Sequence, residues 1–297
     1  MKNASDIPAP PPDPAHQAED LFRAGQLHER AGRLQEAQAV YESCLRQQPS
    51  RHFWLYRLGC VHLKLDRPEP AAECFQLAVE LAPDNARYLT NLGVARDRQG
   101  HGDEAARLYR KAIALGECGP VAYHNLGSLY AEQGRTEEAI KAFEAAIAEE
   151  ADAQGYLNLG LVHYGNEQYG LAQESFERSV AADADFGRGH YYTALCLMKR
   201  GMYADAVRTF TTAWKLEPRL ARAPFHIGVC LHKLERYEEA RRNLETAQEF
   251  FPEDGRIHYQ LALTCDALGL PQEARQYYSR ARILRERGDQ QNPSQSG

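Results

Sequence analysis

No stretch of this 297-residue chain approaches the roughly 18 uninterrupted apolar residues of a membrane span. Its opening, MKNASDIPAPPPDPAHQAED, has no apolar core of the kind a secretory signal needs. These absences make the cytoplasm the expected location and give no role to a membrane. Paired CxxC spacing is missing too. The seven cysteines, Cys44, Cys60, Cys74, Cys118, Cys196, Cys230 and Cys265, are an odd number, which points to reduced thiols rather than a disulfide framework or a zinc site. Lys and Arg number 35 against 41 Asp and Glu, a net charge of −6, so the basic excess of a nucleic-acid binder is lacking.

Catalytic signatures are lacking as well: there is no GxSxG elbow, no GxxxxGK loop, no HExxH, and no glycine-rich fingerprint after a strand. His28, His62 and His163 recur at one register position, but no second ligand recurs beside them, so they read as packing residues. Cys196 and Cys230 also share a register position. Helices stacked about 8–10 Å apart hold such a pair beyond the roughly 7 Å limit for a bridge. The expectation is a chain with no enzyme activity, no cofactor and no metal.

What is present is a repeat. AYHNLGSLYAEQGRTEEAIKAFEAAI, residues 122–147, reads as two helices hinged at a glycine. Its glycine recurs at Gly25, Gly59, Gly93, Gly127, Gly160 and Gly228, with Ala194 and Ala262 filling two gaps. An alanine recurs at Ala37, Ala71, Ala105, Ala139, Ala172, Ala206, Ala240 and Ala274. Each step is 34 residues except one of 33, near Glu150 to Ala153. Four places after each alanine stands a ring, Tyr41, Phe75, Tyr109, Phe143, Phe176, Phe210 and Tyr278, with Leu244 as the aliphatic exception. Proline closes units at Pro49, Pro83, Pro218 and Pro252, where it stops a helix.

Antiparallel helices approach closely only where facing side chains are small, so the glycine is expected to meet the alanine while the ring fills the space beside them. Glycine inside a helix costs about 1 kcal/mol relative to alanine, so its return needs a packing reason. A lone hairpin of this size leaves an apolar face bare and must be covered by its neighbour.

The units resemble tetratricopeptide repeats, whose 34-residue period and small/large/small pattern they match over residues 18–288. The resemblance implies an all-α, right-handed α-solenoid of eight helix-turn-helix units starting at 18, 52, 86, 120, 153, 187, 221 and 255. It also implies a groove lined by first helices. Units three, four, five and eight depart from the pattern in lacking the closing proline, and Thr193 replaces the usual leucine. Residues 1–17, with Pro8, Pro10, Pro11, Pro12 and Pro14, are expected to form a disordered arm, and residues 289–297 a disordered tail. With no separate capping helix after unit eight, end-to-end self-association is open.

Numbered within each unit, the second, fifth, sixth, ninth and twelfth or thirteenth places fall on the face of the first helix turned away from its partner. Asn91, Asn125 and Asn158 repeat at the sixth place. They either clasp an extended backbone or simply fill the NLG consensus. Their row resembles the asparagine ladder in the repeats of O-linked N-acetylglucosamine transferases. Arg188, Arg222 and Arg256 repeat at the second place, Tyr191, Phe225 and Tyr259 at the fifth, and Lys199 and Lys233 near the helix ends. Guanidinium forks beside rings suit an acidic segment with an apolar anchor. Solvated arginines over structural rings are the alternative. The lysine at the fifth place that a chaperone-tail clamp requires is absent.

These residues point to an adaptor that binds an extended acidic peptide. The alternatives are the targeting subunit of a separate enzyme such as a glycosyltransferase, or a self-assembling structural solenoid.

Overall fold

The computed structural model describes the backbone of residues 14–116 and 119–291 and the side chains of residues 18–116 and 119–287. Most of the arm expected at 1–17, most of the tail expected at 289–297, and Cys118 lie outside the described residues. At both ends the helical backbone reaches past the repeat limits of 18 and 288, starting at Pro14 and ending at Gln291.

The described residues form helices and turns with no strand. The chain divides into two compact units, residues 1–149 and 150–297, and the division falls at the single 33-residue step of the repeat. The first unit contains four helical hairpins: α1 (Pro14–Arg30) with α2 (Leu34–Gln47), α3 (His52–Lys64) with α4 (Pro68–Leu81), α5 (Ala86–Arg98) with α6 (Gly102–Ala114), and α7 (Pro120–Glu132) with α8 (Thr136–Glu149). The second holds α9 (Ala153–Gly165) with α10 (Tyr169–Ala182), α11 (Gly187–Lys199) with α12 (Tyr203–Leu216), α13 (Ala223–Lys233) with α14 (Tyr237–Phe250), and α15 (Gly255–Ala267) with α16 (Pro271–Gln291). Each unit is an all-α solenoid in which successive helices pack on one another in chain order.

The turn inside every hairpin places its fifteenth residue in the left-handed region. Five hairpins use glycine there (Gly32, Gly100, Gly134, Gly201 and Gly269), and three use Asp66, Glu167 and Glu235. The glycines relieve the clash that a Cβ suffers at positive φ. Between hairpins, Asn85, Asp152 and Asp254 each cap the next helix by accepting a backbone N–H.

The nearest neighbour of the recurring glycine is the large side chain four places after the alanine. A Cβ on Gly59, Gly93 or Gly228 would come within 2.6 Å of Phe75, Tyr109 or Leu244, and one on Gly127 within 2.8 Å of Phe143. The glycine therefore lies nearest the large side chain of its own hairpin, and at Gly228 the alanine is close as well, with Ala240 O 3.2 Å from that Cβ. The alanines are fully buried beside it. The physical reason is size: the large side chain occupies the volume that a methyl would take.

Across hairpins, the third and seventh places of a first helix carry the core onward. Trp54 and Leu58 pack on Phe22, Tyr41 and Cys44, and Ile257 and Leu261 pack on Phe225, Leu244 and Ala247. Cys196 and Cys230 are buried free thiols, and burial pushes both up to about 12. His28 contacts Arg33 Nε at 3.0 Å and His163 contacts Gln168 at 2.8 Å, while His62 is buried. Among the described residues no group of three His, Cys, Asp or Glu side chains is placed to hold a metal ion.

Candidate functional site

The arginine and aromatic ladders all lie in the second unit, on α11, α13 and α15 and the turns before them. Arg188 donates from Nη2 to Gln154 Oε1 at 2.6 Å, and Gln154 in turn donates to Asn158 Oδ1 at 2.6 Å. Arg222 and Arg256 converge on Asp254: Arg222 Nη1 reaches Oδ2 at 2.5 Å, and Arg256 donates from Nε and Nη2 at 3.1 and 3.0 Å. Burial works to raise the Asp254 carboxyl, but the two arginines outweigh it and hold it at about 2. The guanidinium carbons of Arg188 and Arg222 also sit 5.0 and 4.4 Å from the ring centroids of Phe186 and Phe251. The ladder is thus a partnered network in which Arg256 keeps the most exposed head, 70% accessible.

The rings divide in the same way. Tyr191 packs edge-on against Phe210 at 5.5 Å and belongs to the core of its hairpin. Phe225 packs against the cluster of Leu244 and Ile257. Only Tyr259 of the three is exposed, at 49%. The fifth place sits beside the ring of its own hairpin, so a neighbouring first helix normally covers it. Lys199 and Lys233 are exposed at the ends of α11 and α13, with the Lys199 ammonium 5.9 Å from the Tyr169 ring.

The asparagine row falls in both units. Asn91 and Asn125 lie in the first and Asn158 in the second. Asn91 donates its amide to Arg87 O of its own helix at 2.9 Å, and Asn125 is half-buried.

Sequence reasoning missed three features. One is His226, at the sixth place of α13, stacked on Phe210 at 5.3 Å and flanked by Tyr191 and Phe225. Burial first, then Arg222 and Arg256, lower it to about 4, so it is neutral near pH 7. Its signal was its register position, shared with the asparagines. A second is an opening of about 890 Å³ beside Tyr259, to which Tyr278 and Leu284 of α16 contribute. The third, in the first unit, is Glu29, which is buried and accepts from Tyr41 Oη at 3.0 Å, Arg57 Nη2 at 2.5 Å and Lys64 Nζ at 2.7 Å.

Among the described residues no helix is long and apolar enough to cross a membrane. No match was found among curated protein sequences. Over residues 165–247 the chain is similar to the family of anaphase-promoting complex, cyclosome, subunit 3. The solved structure of YrrB, described as a TPR protein with an unusual peptide-binding site, is 26% identical over 61% of this chain and 94% of its own, with a TM-score of 0.50. Two further structures share the fold: the APC/C hetero-tetramer Cut9–Hcn1 (18% identity, 84% of this chain, half of that one, TM-score 0.60) and pilF of Pseudomonas aeruginosa (22%, 68% and 92%, TM-score 0.60). The tetratricopeptide repeat model matches residues 22–86, 56–122, 90–156, 124–185 and 231–293, so the eight-fold register, the hairpins it folds into and this match together place the chain in the tetratricopeptide repeat family.

Proposed function

We propose that the protein is a non-catalytic cytoplasmic scaffold whose second unit holds an extended acidic segment of a partner against α11, α13 and α15. The observation that carries this reading is the pairing of the exposed Arg256 guanidinium with the exposed Tyr259 ring at one opening. A carboxylate or phosphate meets the fork there and an apolar side chain meets the ring. Arg188 and Arg222, already oriented by Gln154 and Asp254, retain donors for further carboxylates and start in a fixed geometry, so less side-chain freedom is lost on binding. The peptide-binding description of YrrB supports the class of ligand. Two of the three asparagines are engaged within their own helices, Asn91 as a donor and Asn158 through its amide oxygen, which leaves the enzyme-subunit alternative with less behind it.

The test uses neutral substitutions, because reversing Arg222 or Arg256 would set a carboxylate beside Asp254. A fluorescein-labelled acidic peptide carrying one leucine or tyrosine is titrated by anisotropy. Arg256→Gln and Tyr259→Ala each weaken binding about tenfold, in line with the loss of one charged contact or one aromatic anchor. Affinity also falls with added salt. Equal affinity for a neutral peptide of the same length, or no effect of either substitution, discards the reading.

A further inference from the structure

In each earlier hairpin the large side chain four places after the recurring alanine is buried, as with the rings of Phe176 and Phe210 and the aliphatic Leu244 in the second unit. Tyr278, its counterpart in the last hairpin, is only partly buried. Tyr259 is exposed on the same surface, and Ala281 and Leu284 form the floor of the opening beside it. Arg256, Arg282 and Arg285 stand at its edge against Asp254 and Glu286, and Asp254 is already held by Arg222 from outside the opening.

The protein itself shows what covers such a surface. A following first helix lays its third and seventh places on the fifth, twenty-fourth and twenty-seventh of the hairpin before it, as Ile257 and Leu261 do on Phe225, Leu244 and Ala247. The third place also approaches the twenty-eighth: a Cβ on Gly189 would stand 3.0 Å from Val180 and 3.2 Å from Ser179. Second places meet each other, as Arg188 meets Gln154.

α1 is a first helix with no hairpin before it among the described residues. Its outward face is bare: Leu27, at the tenth place, is 62% exposed, Leu21 is exposed, and the Asp20 side chain is 76% exposed. The tenth place joins the third and seventh in this packing, as when Cys196 packs on Phe176 and Cys230 on Phe210. Laid on α15 and α16 in this register, Ala24 at the seventh place and Leu27 at the tenth cover Tyr259 and Tyr278. Asp20 then falls at Arg282 and Glu19 at Arg256. We propose that two copies of this chain associate head to tail, α1 of one docking on the α15–α16 face of the other, with those two acidic residues matched to those two arginines. Within one chain, Arg51 to Glu19 at 3.6 Å, Arg23 to Asp20 at 3.5 Å and Arg282 to Glu286 at 3.8 Å are long and exposed, so they compete weakly, while Arg256 keeps its bonds to Asp254 at 3.0 and 3.1 Å and would meet Glu19 with its remaining donors. Such an interface is heterologous: each copy presents both a head and a tail.

This goes beyond the peptide reading, and the residues tested, Asp20 and Arg282, belong to neither of its ladders. Sedimentation velocity of the full chain over a concentration series is expected to show association that weakens with salt. Asp20→Arg and Arg282→Asp each weaken it at least about tenfold by setting like charges together. An equimolar mixture of the two variants recovers it, since the reversed head of one matches the reversed tail of the other. Leu27→Glu, which leaves both charges in place, also abolishes it. Circular dichroism checks that each variant keeps its helices, as exposed sites should. A wild-type chain that stays monomeric to on the order of 100 µM, association that survives both reversals, or a mixture that fails to recover it overturns the proposal.

Discussion

His226 and Asp254 are the two residues whose chemistry the fold alters most usefully, and both make stability fall with acid. His226 has an ordinary value of 6.5 lowered to about 4. The unfolded chain therefore binds a proton that the folded one refuses, and stability declines as pH drops from about 6.5 toward 4. Asp254 goes from 3.8 to about 2. Its contribution is fully present above the unfolded value and is lost as pH falls from about 4 to 2. Urea midpoints measured across pH should show both losses. His226→Phe keeps an aromatic plane over Phe210 and flattens the upper part of the profile, whereas Asp254→Asn flattens the lower part. A profile between pH 6.5 and 4 that is unchanged in His226→Phe would mean that the imidazole is not desolvated as described.

At the scale of helices, the glycine ladder sets how closely the two members of a hairpin approach. Gly93→Ala adds a methyl within 2.6 Å of the Tyr109 ring, so thermal unfolding should show a loss of about 1–3 kcal/mol from overpacking, despite alanine's better helix propensity. At Ala194, where the hairpin has already accommodated the methyl beside Phe210, Ala194→Gly should instead cost about 1 kcal/mol through propensity and a small void. If Gly93→Ala stabilised the protein, the ring would have to be free to move aside. The ladder was plain in the sequence as a period, but its partner was not. Spacing along one chain reports which residues share a helix face; which side chain of the second helix lies opposite depends on the crossing of the two.

For the whole molecule, the two compact units each hold one of the two tryptophans, Trp54 and Trp214. Repeat proteins gain stability from neighbour to neighbour, so damage to one hairpin should register first in its own unit. Glu29 ties the first hairpin to the second through Arg57 and Lys64, and burial, which raises its carboxyl, is outweighed by these partners, so the net shift is downward. Glu29→Gln should therefore cost about 2 kcal/mol by weakening charge-assisted bonds. In a Trp214→Phe background, Trp54 fluorescence should report that loss in urea. In a Trp54→Phe background, the Trp214 transition should stay in place. Equal shifts in both would show the eight hairpins unfolding as one cooperative body.

Residue order alone determined the helical class, the eight units and the family, because burying hairpins against one another writes the same small and large side chains into the chain at a fixed period. It also brought Arg188, Arg222, Arg256, Tyr191, Phe225 and Tyr259 into view as two rows on equivalent places. Only the tertiary structure decided which of those groups are available. Tyr191 and Phe225 are packed into hairpin cores and Arg222 and Arg256 are held by one carboxylate, while Tyr259 and the Arg256 side chain stay exposed because, among the described residues, no further helix covers the last hairpin. Equivalent positions in a repeat share a register but not a neighbour, and exposure is a property of the neighbour.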